Sequence, residues 1–365
     1  MAEKSLQINI KDGNASVEGF PISNGMRLLI FTQKVDKNDP VLGFFHTWIN
    51  ELSKKVESVT VICLGKGEMS LPNNVTVYSL GKERSVSKMG YIINLYKYIF
   101  LIRGAYDKVF VHMNEEYVVL LGLYWRIKNI PIYMWRNHPE GGLYTRIAAM
   151  FSAKVFCTSN AAFVTRFKKT VVMPVGIDTT LFRPMVGILR KKHSVVILGR
   201  IAPIKRIELA LGAIDRLIKA GTQASLTVIG SPLPKDIVYY DSLRKYVSDR
   251  GLSGYVQFVS EVTMNKVPEI FSGHEISLNL TPAGSFDKTI VESTACGALP
   301  LVSNESLQGL LPDVCITLPE SQAVADSIQK LLEPHIKMEI QKDLEVFVSS
   351  QSLSALMDKL MIELQ

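Results

Sequence analysis

A glycine, an arginine and a lysine fall close together at Gly199, Arg200 and Lys205, between a short apolar run and an amphipathic one. The run at 194–199 reads as a strand, and Lys205 with Arg206 opens the helical pattern that follows. Glycine allows a tight exit from a strand. A helix start favours anions through its free N–H groups and dipole, so a cation there opposes the dipole and needs an anionic partner or solvent. A diphosphate is such a partner, bound bidentately by arginine and as a point charge by lysine. The plainer reading is two solvated surface charges.

A second fragment has the same layout. A strand at 275–281 runs into the loop Pro-Ala-Gly-Ser-Phe-Asp-Lys at 282–288, and a helix follows with Thr-Ile-Val-Glu. Gly284 and Ser285 let backbone amides approach a ligand closely. Glu292 lies about one turn into the helix, where it accepts hydrogen bonds from ribose hydroxyls or pairs with a nearby lysine. Cys296 and Gly297 close the helix with small residues, which suits packing better than catalysis.

Together these fragments resemble the signatures of the retaining glycosyltransferases of family four, which have the GT-B fold, and the likeness covers nearly all of residues 26–345. The family's G-R-x4-K signature stands as Gly199-Arg200-Ile201-Ala202-Pro203-Ile204-Lys205, and the resemblance implies that Arg200 and Lys205 contact the donor diphosphate. The E-x7-E signature spans Gly284 to Glu292; the second glutamate matches Glu292, which implies a ribose contact. The first glutamate is absent, with Gly284 in its place. Asp287 and Lys288 stand three and four residues further on, and a branch of the family carries a similar Asp-Lys pair, so the site is expected to be a variant one with Asp287 in its catalytic set. The donor-binding set implied is then Gly199, Arg200, Lys205, Gly284, Ser285, Phe286, Lys288 and Glu292.

The strand at 131–135 leads to Arg136-Asn137-His138-Pro139-Glu140-Gly141-Gly142, which is similar to the family's histidine loop. The resemblance implies that His138 touches the transferred sugar and is catalytic, although a lone histidine after a strand is commonly structural. The loop from Asp36 to Gly43 takes the place of the family's glycine-rich first loop, so Asp36, Asn38 and Gly43 are acceptor or cleft candidates. His112 ends the strand at 108–112 and joins them, because ligands of open α/β sheets bind beyond the carboxyl ends of strands. The six histidines never fall at i, i+4 on one helix and no D-x-D pair occurs, so neither metal nor cofactor is expected. Gly65-Lys-Gly-Glu-Met-Ser70 is a partial dinucleotide fingerprint, rejected because Pro72-Asn73-Asn74 follows where a helix should begin.

The elements that must position these residues alternate. Apolar, β-branched runs stand at 27–32, 58–64, 108–112, 131–135, 154–158, 171–174, 194–199, 225–230, 255–259, 275–281 and 299–303. Helical patterns separate them, such as 205–220 with Ile207, Leu211, Ile214 and Ile218 on one face. Short, continuously apolar strands in strand–helix order mean α/β architecture with doubly wound parallel sheets. The 365 residues suit two domains. The expected division is an extension at 1–25, a Rossmann-like acceptor domain at 26–174, a linker at 175–192, a Rossmann-like nucleotide-sugar domain at 193–345, and a C-terminal helix at 346–365 that can cross back to the first domain.

Composition sets the remaining bounds. Hydrophobic residues make up 47% and charged residues 21%, as in globular proteins. Four scattered cysteines argue against a disulfide framework or zinc ribbon and for a reducing cytoplasm. No signal peptide and no run of about 18 apolar residues is seen. Net charge is +7, and no recognised nucleic-acid-binding motif accompanies it, so nucleic acid is not an expected partner. The stretch 82–108 carries six basic residues among tyrosines and Phe100, and reads as an amphipathic helix on a sheet or as a basic aromatic helix resting on anionic lipid. The expectation is a cytoplasmic glycosyltransferase, with a peripheral contact on the inner membrane face, that moves a sugar with retention from a nucleotide sugar to a glycan or lipid-linked acceptor in cell-surface glycan or polysaccharide synthesis. The alternatives are a sugar-nucleotide epimerase or hydrolase on the same frame, and a non-catalytic nucleotide-sugar binder.

Overall fold

The protein is described from a computed structural model. It covers residues 25–39, 41–284 and 286–365, so the expected extension, apart from Gly25, and the candidate Ser285 lie outside the described residues.

Two parallel sheets make the frame. The first contains β1 (Arg27–Val35), β2 (Ser58–Lys66), β3 (Val75–Ser79), β4 (Lys108–His112), β5 (Ile132–Trp135), β6 (Lys154–Cys157) and β7 (Thr170–Val172) in the order β3-β2-β1-β4-β5-β6-β7. The second contains β8 (Lys191–Leu198), β9 (Ser225–Ile229), β10 (Val256–Val259), β11 (His274–Asn279) and β12 (Leu299–Val302) in the order β10-β9-β8-β11-β12. Helices on both faces bury the sheets, which is why the central strands are continuously apolar instead of alternating. On one face of the first sheet, α1 (Gly43–Ser53) shares a core with the last helix, α11 (Leu353–Leu364). On its other face lie α2 (Lys88–Leu101), α3 (Glu116–Ile127) and α4 (Leu143–Phe151). The second sheet has one core with α5 (Ile207–Lys219), α6 (Ile237–Asp249), α7 (Val267–Gly273), α8 (Lys288–Ala295), α9 (Ser321–Leu331) and α10 (Pro334–Ser350).

The strand runs read from sequence all appear, and β3 is an addition. Its Val-Thr-Val-Tyr-Ser is partly buried and only weakly alternating, and it pairs with β2 at the edge of the sheet. The segment expected to be a linker ends earlier, since Lys191 and Lys192 already belong to β8.

The chain crosses between the sheets twice, after β7 and after α10, and the crossings are bonded to each other. The N–H groups of Gly176 and Ile177 donate to Gln351 O, and Leu353 N–H donates to Ile177 O at 2.7 Å. Gly176 has φ +74, and a Cβ there would stand 2.2 Å from Leu356 Cδ2. Trp48 Nε1 donates to its carbonyl at 3.3 Å. α11 is thereby held on the first sheet, with Leu356, Leu360 and Leu364 fully buried. Leu360→Ala should cost about 2–5 kcal/mol of stability through lost burial and a residual cavity. Urea unfolding checks this; a loss below ~1 kcal/mol would mean that α11 is only loosely attached.

Candidate active site

In a doubly wound sheet the crevice opens where the strand order reverses. That point lies between β1 and β4 in the first sheet and between β8 and β11 in the second. The residues selected from sequence cluster there: the loop 36–43 after β1, His112 at the end of β4, 199–205 after β8, and 280–288 after β11. His138 lies one strand over, after β5.

The second sheet supplies the charged side. Gly199 leaves β8 with φ +142, and its carbonyl passes so close to Gly230 that a Cβ there would lie 2.0 Å from it. Arg200 follows, exposed at the strand end. The helix begins later than its pattern suggested. Pro203–Lys205 is a 3₁₀ turn, Arg206 takes a left-handed conformation at φ 51, and α5 starts at Ile207. Pro203 accounts for the shift, since proline is favoured at the start of a helical turn and the residue before it is held extended. Lys205 therefore lies in the turn before α5 and ion-pairs with Asp287.

Asp287 is the N-cap of α8, its Oδ1 accepting from Thr289 N–H and Thr289 Oγ1. Its Oδ2 accepts from Lys205 Nζ and from Asn279 Nδ2 at 2.9 Å. Burial alone would push this carboxyl up; the Lys205 charge and these hydrogen bonds outweigh it and hold the group below the usual carboxylate range. A carboxylate with so many donors is an anchor, and it joins β11, α8 and the loop after β8.

Gly284, where the family has its first glutamate, has φ +147, and a Cβ there would meet Pro139 Cβ at 3.3 Å. The 280–288 loop therefore rests on the histidine loop of the first sheet. That loop is braced from within. Arg136 ion-pairs with Glu115 at 3.1 Å, with both side chains mostly buried. Asn137 Oδ1 accepts from Thr158 N–H at 2.8 Å. His138 is exposed, with Nδ1 held 3.0 Å from Glu140 N. Nε2 is then the atom that this ring has to offer a substrate.

The other first-sheet candidates divide. Asp36 ion-pairs with Lys34 at 3.0 Å, Asn38 Nδ2 donates to Glu68 at 2.7 Å, and Gly43 lies tight over Lys37 O; all three shape their own loop. Val41 and Leu42 of that loop line a cavity of about 180 Å³ between the two sheets. His112 also lines it, buried and stacked on Phe45 at 4.0 Å between ring centroids. Burial, with the Lys288 charge adding to it, pushes His112 down to about 3, so this ring is neutral at physiological pH. Phe286 lines the cavity from the second sheet. Lys288 does so too, its ammonium 3.2 Å from the Phe44 ring centroid and so turned toward aromatic rings. Glu292 is buried one turn further along α8, where burial raises its carboxyl and Lys288 pulls it back.

Sequence reasoning passed over Phe44, Trp48, Asn279 and the Arg136–Glu115 pair. Phe44 and Trp48 carried a usable signal, being aromatic residues at i, i+4 in the helix directly after the switch-point loop. The Arg136–Glu115 pair, 21 residues apart, carried none.

Residues 192–334 match the family described as glycosyl transferases group 1. A D-inositol 3-phosphate glycosyltransferase of Acidothermus cellulolyticus is 24% identical over 191 residues, covering 46% of this chain and 42% of its own length. Its namesake in Rhodococcus opacus is 26% identical over 144 residues, covering 37% of this chain and 32% of its own length. The chain thus spans less than half the length of the curated relatives it matches. Among solved structures, Anabaena Alr3699/HepE in complex with UDP superimposes with TM-score 0.72 at 17% identity, covering 92% of this chain and 98% of that one. Sucrose-phosphate synthase from Thermosynechococcus elongatus gives TM-score 0.69 at 14% identity, covering 92% and 97%. The chain has the GT-B fold of these neighbours, two Rossmann-like domains.

Asp287→Asn keeps a capping side chain and removes the charge that Lys205 needs. It should cost about 1.5–3 kcal/mol at neutral pH. Because the folded carboxyl is held below its unfolded value, its stabilisation is present above the unfolded pKa and lost as pH falls through the folded one. The gap to wild type should therefore close below about pH 4. Urea midpoints at stepped pH measure it, and a gap independent of pH would mean that the Lys205–Asp287 charge pair contributes nothing.

Proposed function

We propose that the chain is a glycosyltransferase that moves a sugar from a nucleoside diphosphate sugar to an acceptor hydroxyl with retention at the anomeric carbon, serving glycan or polysaccharide synthesis. The observation that carries this reading is the meeting of three loops: 199–205 and 280–288 share the Lys205–Asp287 pair, and Gly284 rests on Pro139 beside His138. The group 1 glycosyltransferase match over 192–334 and the fold shared with a protein bound to UDP support it. The difficult event is departure of the diphosphate while positive charge grows on the sugar. Arg200 and Lys205 stabilise that leaving group in place of a metal ion, and fixed charge of this kind usually contributes more to catalysis than any other single effect. Glu292 holds the ribose, and His138 Nε2 meets the transferred sugar. The leaving phosphate accepts the acceptor hydroxyl's proton as the new bond forms on the same face.

A membrane-facing side belongs to the same reading. The outer faces of α2, α3 and α4 expose Met89, Ile93, Phe100, Leu123, Ile127 and Leu143, interspersed with exposed Lys88, Lys97, Arg103, Arg126 and Arg146. Among the described residues no helix is long and apolar enough to cross a membrane. Apolar side chains among cations suit an anionic lipid surface, each cation adding about 1 kcal/mol there. A lipid-linked acceptor would present its hydroxyl at that surface.

Three experiments test these claims. Arg200→Ala should weaken UDP binding about 10- to 150-fold, the equivalent of 1.5–3 kcal/mol for one charged hydrogen-bond partner, with the melting temperature unchanged. UDP-glucose turnover should persist in EDTA. Undiminished UDP affinity in the mutant, or loss of turnover in EDTA, would sink the corresponding role. In sedimentation with phosphatidylglycerol vesicles, the protein should pellet at low salt and be released by high salt; absence of pelleting at low salt removes the membrane claim alone.

A further inference from the structure

The two most exposed large hydrophobic residues among those described, Val186 and Leu189, stand on one loop between the joint at Gly176 and the start of β8. They are 102% and 93% exposed, and Leu181 and Met185 of the same loop are 39% and 42% exposed. Single exposed aliphatics are ordinary on a protein surface. Four of them within residues 181–189 make a patch, and apolar patches rimmed by polar groups mark contact sites.

The domain holds the loop in this pose. Phe182 is buried, and Met185 N–H donates to Ser272 Oγ at 3.0 Å. The Arg190 guanidinium donates to Ser272 O at 3.2 Å and to Cys296 O at 3.3 Å. Ile188 N–H closes a turn onto Met185 O at 3.4 Å, and Gly187 in that turn has φ +86, which a residue with a Cβ rarely adopts. Val186 is thereby set at the tip. Beneath the loop a cavity of about 460 Å³ opens toward Asn265 and Pro268, so protein does not fill the space on that side. A tip ordered in advance loses little conformational freedom when it binds.

Charge and size narrow the partner. Residues 179–192 contain Arg183, Arg190, Lys191 and Lys192 and no aspartate or glutamate. Arg190 is turned inward by its bonds, whereas Arg183, Lys191 and Lys192 are exposed. An apolar tip flanked by cations matches an anionic bilayer, where aliphatic groups enter the acyl region and the cations stay at the phosphates. A stable protein interface takes roughly 20–30 residues a side, far more than this tip offers. The loop also lies at the amino edge of the second sheet, beside the starts of β8 and β11 and opposite the edge that carries Arg200 and Asp287.

We propose that residues 181–192 form a membrane-insertion loop of the second domain, with Val186 and Leu189 among the acyl chains of an anionic bilayer and Arg183, Lys191 and Lys192 at its phosphates. The site is distinct from the α2–α4 face, which belongs to the first domain, and it does not depend on the glycosyltransferase reading.

A fluorescent probe and a charge variant of the full chain test it. In Val186→Trp the added indole stands at the tip, whereas the natural Trp48, Trp125 and Trp135 are buried. Phosphatidylglycerol vesicles brominated on their acyl chains should quench this variant strongly and wild type little, and phosphatidylcholine vesicles should quench neither. The double variant Val186→Glu, Leu189→Glu should bind phosphatidylglycerol vesicles at least tenfold more weakly than wild type, since two aliphatic side chains no longer enter lipid. Its melting temperature and UDP affinity should be those of wild type, because exposed substitutions away from packed features rarely move stability. Pelleting without quenching at position 186, or a double variant that pellets as well as wild type, would overturn this inference and leave the α2–α4 contact. No pelleting of wild type would overturn both membrane claims and leave the transferase reading. Self-association lost in the double variant with vesicle binding unchanged would assign the tip to a second copy of the chain, and would overturn the inference as well.

Discussion

A parallel strand cannot turn straight back onto its neighbour. It must cross over a face of the sheet, and a sheet crossed on both faces presents all of its strand-to-helix loops at one edge. Both sheets here obey this constraint at every pairing. The strand order then reverses once in each sheet, between β1 and β4 and between β8 and β11, and the loops part at those two points. The loops that carry Asp36 to Gly43, Arg200, Lys205 and Asp287 emerge at those reversals.

Within that edge the cations have different fates, and solvent decides among them. Arg200 is exposed and available to a ligand. Lys205 is satisfied internally by Asp287, so whatever it offers a diphosphate is offered from a pair that already organises β11 and α8. Lys288 is turned onto Phe44 and Trp48, away from water and from any bonded partner. These three cations thus differ, Arg200 exposed, Lys205 paired and Lys288 without a hydrogen-bond partner among the described residues, a distinction that net charge alone conceals.

The two domains are also mechanically linked. Gln351 receives the N–H groups of Gly176 and Ile177, and Leu353 returns a hydrogen bond to Ile177, so both interdomain crossings meet at one joint. Gly176 is needed there for its positive φ and for the Leu356 side chain that fills the space of a Cβ. Contacts such as Gly284 with Pro139 and Lys288 with Phe44 are short reaches across the cleft that this joint permits.

The architecture was legible in the residues alone, because continuously apolar, β-branched runs separated by amphipathic helices have few other solutions than parallel sheets covered on both faces. The strand-end rule also put the selected residues at one edge, since glycine, arginine and lysine follow β8 and the Asp287–Lys288 loop follows β11. β3 escaped because an edge strand is only half buried and alternates weakly. The start of α5 was misplaced because Pro203 sets its own turn before the helix. The partner of each charge, by contrast, came only with the packed fold. Lys205 and Asp287 lie 82 residues apart, and Lys288 in α8 and Phe44 in α1 belong to helices that pack on different sheets, and no local spacing encodes such pairings. They follow from how two separately folded sheets are set against each other, which depends on packing summed over the whole joint rather than on any one stretch of residues.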